Sequence, residues 1–70
     1  MSEDIQITAN GERHTIPSDT SLPAFLEMRG QAAERVVVER NGEPLTPTEL
    51  KKTVLQPGDQ LEIVRIVAGG

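Results

Sequence analysis

The sequence contains no cysteine, tryptophan or tyrosine, and it has one phenylalanine and one histidine. The lack of cysteine excludes disulfide bonds, thiolate metal sites and cysteine nucleophiles together. A core with Phe25 as its single aromatic residue must be built from aliphatic side chains. A lone strand histidine such as His14 is typical of a sheet surface. Because there is no second histidine, the serines and threonines lack the several partners that a catalytic site requires. The chain is therefore expected not to be an enzyme, with no catalytic side chain.

Basic residues are also scarce, with 7 Lys+Arg against 11 Asp+Glu and a net charge of -4. No basic cluster or aromatic platform is present, which argues against a nucleic acid partner. The acidity suits a complementary basic surface on a protein partner, and it suits plain solubility equally well. Glu39, Glu43 and Glu49 are spread over a strand, a turn and a helix start, which favours solvated charges over a metal site.

Long apolar runs are missing as well. No segment approaches the roughly 20 apolar residues that a membrane span needs, and the opening "MSEDIQITAN" lacks the apolar region of a signal peptide. We therefore expect a cytoplasmic protein with no membrane partner. Seventy residues make one domain, residues 1–70, near the lower size limit for folding alone and with little room for an enclosed pocket.

What the sequence does contain is a regular succession of strand and turn signals. Alternating apolar residues in "IQITANGERHTI" flank Asn10-Gly11 and predict a first hairpin. The run "ERVVVER" predicts another strand, because β-branched valines favour extended backbone. Asn41-Gly42 predicts a second hairpin turn, into a short strand over residues 43–45.

Two helices are predicted between and after these hairpins. Leu22, Phe25 and Leu26 share the spacing of one helical face and predict the main helix. Thr46 and Glu49 stand at the N-cap and N3 positions of a capping box, which predicts a short second helix. A last strand is predicted from about residue 60. A mixed four- to five-stranded sheet, with the last strand between the hairpins and one main helix across it, is an α+β fold of the β-grasp (ubiquitin-like) type.

The last strand is predicted to serve on both of its faces. Period-two geometry turns Leu61 and Ile63 towards the helix, and Glu62, Val64 and Ile66 away from it. Exposed aliphatic residues beside a terminus indicate a docking surface, although isolated surface aliphatics are common. The predicted partner-docking residues are Val64, Arg65, Ile66 and Val67. A pairing of Arg65 with an acidic partner group and a role in solubility alone both stay open.

The printed sequence closes on Val67-Ala68-Gly69-Gly70, predicted to be a flexible tail over residues 67–70. Without Cβ atoms the glycines can pass through a narrow channel, with Ala68 and Gly69 threading and an unhindered α-carboxylate arriving on Gly70. Activation as an acyl adenylate would open that carboxylate to a sulfur or nitrogen nucleophile. A frayed chain end is the plainer interpretation.

The segment "GDQLEIVRIVAGG", with "NGEPL" upstream, resembles the ThiS family of sulfur carrier proteins in thiamin biosynthesis, in length and element order over essentially all 70 residues. The resemblance implies that Gly70 is adenylated by a ThiF-type adenylyltransferase that uses ATP and Mg²⁺, while the carrier itself binds no cofactor. It further implies that cysteine-derived sulfur, from a donor such as a cysteine desulfurase, converts Gly70 to a thiocarboxylate. Thiazole synthase would take that sulfur.

Two related functions remain open at this point. The MoaD family, the small subunit of molybdopterin synthase, uses the same terminal chemistry, but it commonly has a more aromatic, proline-containing approach to the glycine pair. A ubiquitin-like modifier that forms isopeptide bonds shares the activation step.

Overall fold

The computed structural model describes residues 3–67. Its elements in chain order are β1 (Asp4–Ala9), β2 (Glu12–Pro17), α1 (Leu22–Met28), a 3₁₀ turn (Ala33–Arg35), β3 (Val36–Arg40), β4 (Glu43–Pro44), α2 (Pro47–Lys52) and β5 (Gln60–Arg65). The predicted order of strands and helices is confirmed. The 3₁₀ turn before β3 was not predicted, because three residues give too short a pattern to recognise.

Both predicted hairpin turns depend on left-handed backbone. Asn10 and Gly11 have φ values of 49° and 81°, and Asn41 and Gly42 have φ values of 53° and 85°. Asparagine and glycine tolerate this region better than other residues, which is why Asn-Gly pairs close two-residue hairpins. The turns therefore lie where the sequence predicts them.

The helices begin at side-chain caps. The Ser21 hydroxyl accepts a hydrogen bond from the Ala24 N–H at 3.1 Å at the start of α1. At the start of α2, Thr46 Oγ1 accepts from the Glu49 N–H at 3.1 Å and Glu49 Oε1 accepts from the Thr46 N–H at 2.8 Å. This reciprocal pair is the predicted capping box, and it satisfies N–H groups that a helix start leaves unpaired.

The sheet has five strands in the order β2-β1-β5-β3-β4, so β5 lies between the two hairpins as predicted. It runs parallel to β1 and antiparallel to β3. A sheet of this order with α1 across one face is the predicted β-grasp architecture. The consequence for function is that the strand leading to the chain end is held by neighbours on both sides.

The core lies between the sheet and α1. Leu61 and Ile63 from β5 join Leu22, Phe25 and Leu26 from α1 in one buried cluster, as predicted. The cluster is aliphatic apart from Phe25. Burial of these side chains supplies the main stabilising free energy of a domain this small.

His14 does not occupy the sheet surface that was expected for it. It lies opposite Ile7 in the β1–β2 register, so it faces α1 and is half-buried. Its ring stands edge-on to Phe25 at 5.4 Å between centroids, and Arg29 Nη1 lies 3.2 Å from its Nε2. The strand alternation of β2 explains the difference, since His14 lies two residues before the buried Ile16 and therefore on the same face of the strand.

Neither helix within residues 3–67 has the length and apolarity needed to cross a membrane.

Candidate functional site

The outer face of β5, away from α1, exposes aliphatic side chains next to the chain end. Val64 is 62% exposed and Ile66 is 52% exposed, whereas Leu61 and Ile63 are buried. The predicted division of the strand into two faces is confirmed. Docking of a partner on this exposed face stays a prediction.

Val37 extends this face onto β3. It is the direct cross-strand partner of Val64 and is 46% exposed. We call Val37, Val64 and Ile66 the outer patch. Sequence reasoning missed Val37 because it took the three valines of β3 together. The alternation of that strand would have found it, since Val36 and Val38 are buried and Val37 is not.

An apolar groove of about 290 Å³ opens at one end of the outer patch, between the 3₁₀ turn, α2 and β3. Its lining includes Val37 and Ile66 together with Leu45 and Leu50. The groove exists because β4 has only two residues and pairs only with Glu39 and Arg40. Within residues 3–67, the Val36–Val37 end of β3 is therefore paired with β5 on one side and with no strand on the other. The outer patch therefore continues around the edge of the sheet.

The end of β5 is tied to the 3₁₀ turn. The Ile66 N–H donates to the Arg35 carbonyl at 2.8 Å, so the chain remains hydrogen-bonded one residue beyond the strand. Val67 follows with 81% of its surface exposed. This hydrogen bond thus ties the chain to the domain as far as Ile66, next to the predicted tail over residues 67–70.

Arg65 lies apart from the other predicted docking residues. It is paired with the buried Val36 in the β3–β5 register, so it is on the helix side of the sheet, at its margin. It lines a shallow recess with Arg35 and Gln31. Its predicted part in docking, towards an acidic partner group or otherwise, stays a prediction.

The predicted reactive residue and the threading residues, Gly70, Gly69 and Ala68, lie outside the described residues. Their assignments as the site of adenylation and thiocarboxylate formation, and as the segment that passes the channel, stay predictions.

A buried carboxylate anchors the start of β5. Asp59 is 5% exposed and accepts hydrogen bonds from Arg40 Nε at 3.0 Å, Asn41 Nδ2 at 3.1 Å and the Gln56 N–H at 2.8 Å. Burial by itself would raise the pKa of Asp59. The hydrogen bonds from Gln56, Asn41 and Arg40, with the Arg40 charge, outweigh burial and lower the pKa below its ordinary value.

The first hairpin turn anchors the other half of β5. Asn10 Oδ1 accepts from the Ile63 N–H at 2.7 Å, and Asn10 Nδ2 donates to the Ile63 carbonyl at 3.1 Å. The backbone register of β1 with β5 covers only Thr8 with Gln60 and Ala9 with Leu61. The Asn10 side chain therefore continues the ladder where β1 has already turned away.

Within residues 3–67, no three histidine, cysteine, aspartate or glutamate side chains come together in a way that could hold a metal ion. Glu39, Glu43 and Glu49 are exposed at separate places, on β3, β4 and α2. The outer face of β5, with its exposed Val64 and Ile66, is the candidate functional surface.

Comparison with known proteins agrees with this picture. The family model described as the ThiS family matches residues 2–70. A crystal structure of the thiamine biosynthesis protein ThiS from Geobacter metallireducens superposes with a TM-score of 0.77 at 30% identity, covering 94% of this chain and all of that one. A designed protein based on human ubiquitin has a TM-score of 0.56 at 22% identity over all of this chain and 98% of its own, which shows the likeness of fold alone.

A thiazole synthase of Magnetococcus marinus is 38% identical over 66 residues, which is 94% of this chain and 20% of that protein. The chain thus spans about a fifth of that relative's length, as it does for a second thiazole synthase, from Paramagnetospirillum magneticum. The resemblance of "GDQLEIVRIVAGG" and its flanking elements is confirmed over the whole domain. The chain belongs to the ThiS family of sulfur carriers.

Proposed function

We propose that this protein carries sulfur for thiazole formation in thiamin biosynthesis, on a thiocarboxylate at Gly70. The observation that carries the proposal is the central strand β5, which presents the outer patch immediately before Ala68-Gly69-Gly70 in a chain of the ThiS family. The similarity to proteins called thiazole synthase supports the thiazole branch.

The chemistry takes place on the α-carboxylate and proceeds in two steps. The carboxylate of Gly70 attacks the α-phosphorus of ATP, pyrophosphate leaves, and an acyl adenylate forms. Sulfur at the oxidation level of sulfide then attacks the activated carbonyl carbon and displaces AMP, which leaves the thiocarboxylate. ATP and Mg²⁺ belong to the ThiF-type activating enzyme in this scheme. The sulfur comes from a donor such as a cysteine desulfurase, whose persulfide is brought to the level of sulfide by a thiol reductant that is itself oxidised to a disulfide.

The carrier in this scheme is a protein substrate and not a catalyst. Its part is to present a narrow tail and a surface that each partner recognises in turn. The glycines admit the tail to a channel because they have no Cβ atoms. The outer patch, with Val67 beyond it, gives the activating enzyme and thiazole synthase an apolar surface to bind. Its cytoplasmic location goes with these partners and stays a prediction.

Reconstitution tests the proposal directly. The full chain is incubated with its ThiF-type enzyme, MgATP and a sulfur donor, and its intact mass is measured. We expect one oxygen of the protein to be replaced by sulfur, and fragmentation to place the change at Gly70. An unchanged mass, with an activating enzyme that is active on a reference carrier, would contradict the proposal. The intact mass of the untreated protein shows whether Gly70 starts with a free carboxylate.

Deletion of Gly70 is the matched variant. It should abolish both adenylation and sulfur transfer, while the far-ultraviolet circular dichroism and the unfolding midpoint stay those of the full chain. We expect this because the described body ends its hydrogen bonding at Ile66. Loss of the fold on deletion would show that the terminus is structural.

The protein that accepts the sulfur or the carrier distinguishes the proposed function from the MoaD-like and modifier functions. The thiocarboxylate form is offered to thiazole synthase and to the large subunit of a molybdopterin synthase, and we expect transfer to thiazole synthase alone. Transfer to the molybdopterin enzyme alone would assign the MoaD-like function. Conjugates linked through lysine in cell extracts would assign a ubiquitin-like modifier function.

A further inference from the structure

A lysine stands at the rim of the apolar groove between the 3₁₀ turn, α2 and β3. The groove has an aliphatic floor, and the charged residues of its lining are Glu34 and Lys51. Lys51 is exposed in the last turn of α2, and the salt bridge found within residues 3–67 joins two other residues. An ammonium group beside an apolar floor suits an occupant that is apolar along its length and negatively charged at its end.

The edge of β3 beside the groove offers backbone hydrogen-bonding groups. The Arg35 carbonyl accepts from the Ile66 N–H on the β5 side, so the next residue, Val36, directs its own N–H and carbonyl the other way. Val38 shares this direction, since its carbonyl accepts from the Leu45 N–H at 2.9 Å. In the described part of the chain, no strand lies beside Val36 on that side. An extended segment in the groove can therefore hydrogen-bond to β3.

The tail over residues 67–70 starts at this groove. Ile66 is hydrogen-bonded to the 3₁₀ turn and is also part of the groove lining. The four residues after it span at most about 14 Å when extended, and a position beside β3 lies two interstrand spacings, about 10 Å, from β5. The tail reads valine, alanine, glycine, glycine, and in the proposed function Gly70 bears a free carboxylate. This order matches the aliphatic floor, the open strand edge and the lysine at the rim.

We propose that the tail folds back into this groove between visits to partner proteins, with the carboxylate of Gly70 paired to the Lys51 ammonium. The inference goes beyond the proposed function and rests on it in one respect, because it needs a free carboxylate on Gly70. A thiocarboxylate carries the same charge and can occupy the same place. The tail must leave the groove before an enzyme takes Gly70, and while docked it keeps the reactive group away from other acceptors.

A second recess that also includes Ile66 offers two other cations, Arg35 and Arg65. Apart from Ile66 and Ala32, its lining is polar or glycine, which gives the valine of the tail little to pack against. The groove is the better match because it provides both an apolar floor and a cation. The pairing with Lys51 is nevertheless reversible, since charge pairs between exposed groups are weak and are screened by salt.

NMR spectroscopy of the isotope-labelled full chain at low salt tests the proposal. We expect nuclear Overhauser effects between the Gly69 amide and methyl groups of Leu45 or Leu50. The backbone order parameter of Gly69 should exceed about 0.6, the level below which a backbone is flexible. Lys51→Gln should weaken these Overhauser effects about twofold or more and lower the order parameter below about 0.6. Added salt should act in the same direction, because it screens exposed charges.

Lys52→Gln is the matched control. It removes the same charge from the neighbouring position of α2, which is exposed and outside the groove lining. We expect the Gly69 signals of this variant to match those of the unchanged protein. Arg65→Gln examines the second recess and should likewise leave the Gly69 signals unchanged.

Several results would overturn the inference. One is a Gly69 order parameter below about 0.6 in the unchanged protein with no Overhauser effects to the groove. Another is an equal effect of Lys51→Gln and Lys52→Gln, or a loss of tail order in Arg65→Gln alone. Overhauser effects between differently labelled copies would assign the groove to the tail of a second molecule and would also contradict it.

These measurements do not use the activating enzyme, so the inference and the proposed function can fail separately. If the tail is free of the groove, formation of the thiocarboxylate on the unchanged protein still supports the carrier function. If the unchanged protein is not adenylated, the carrier function fails, while the Overhauser effects from Gly69 still show whether the tail occupies the groove.

Discussion

Asp59 shows how one side chain connects three segments of this small domain. Its carboxylate accepts from Arg40 at the end of β3, from Asn41 in the second hairpin turn and from Gln56 before the turn that leads to β5. Asn41 also accepts from the Gln60 N–H at 2.9 Å. A charged acceptor with several donors is stabilising only while it stays ionised, because burial penalises the charge and the donors offset that penalty.

The pH dependence of stability at low pH should therefore include a contribution from Asp59. The folded protein holds the pKa of Asp59 below its ordinary value of 3.8. A lowered folded-state pKa stabilises the protein above the unfolded value, and this stabilisation is lost as the pH falls below about 3.8 and through the folded-state value. We expect Asp59→Asn to lower the free energy of unfolding by about 1–3 kcal/mol at neutral pH, with the difference shrinking in acid.

Urea unfolding at a series of pH values measures this effect. Glu43→Gln, at an exposed carboxylate of β4, is the control and should track the unchanged protein throughout. A constant difference between Asp59→Asn and the unchanged protein down to the lowest pH would contradict the assignment.

At the scale of elements, the two strands beside β5 pair with it over different lengths. β3 pairs with it over five residue pairs, whereas β1 pairs over two. The Asn10 side chain compensates for the short β1 register with its two bonds to Ile63. The hairpin turn thus has a second role: it holds the half of β5 that leads to the outer patch and the tail.

Asn10→Gly isolates that second role, because glycine also accepts the positive φ of this turn while it removes the side chain. We expect the free energy of unfolding to fall by about 1–3 kcal/mol for two lost hydrogen bonds, and the Ile63 amide to exchange faster with solvent. Asn10→Asp retains an acceptor for the Ile63 N–H and should lose less. An Ile63 amide as protected in Asn10→Gly as in the unchanged protein would contradict this role.

At the scale of the whole molecule, the core has little redundancy. Seventy residues at about 0.05–0.15 kcal/mol each give a total stability of about 3–10 kcal/mol. Phe25 is the largest of the fully buried side chains and contacts His14 and Arg29 as well as the aliphatic cluster. A cavity at this position cannot be refilled by another aromatic side chain, because there is none.

Phe25→Ala should therefore remove most of the stability of the domain. We expect a loss of about 3–5 kcal/mol, enough to leave a substantial unfolded fraction at room temperature, seen as a broadened proton NMR spectrum and loss of the cooperative urea transition. Phe25→Leu should keep the fold with a smaller loss. A cooperative transition for Phe25→Ala near that of the unchanged protein would show that the core does not depend on this ring.

The sequence by itself determined the elements, the turns and the division of β5 into two faces, because these follow from spacing along the chain. Asn-Gly pairs, the Thr46–Glu49 capping box and the alternation of Leu61, Ile63 and Val64 all act within a few residues of one another. Family membership was visible for the same reason, since it depends on the order of those local signals.

Tertiary structure alone decided which distant side chains meet. Asn10 and Ile63 are 53 residues apart, and Arg40 and Asp59 are 19 apart. Nothing in either local segment indicates its partner. The register of β3 with β5 brought Val37 to Val64 and Glu39 to Glu62, and a slip of one residue would have exchanged the two faces. Pairing across the sheet is set by how the whole chain packs over α1, and for that reason it was beyond the sequence.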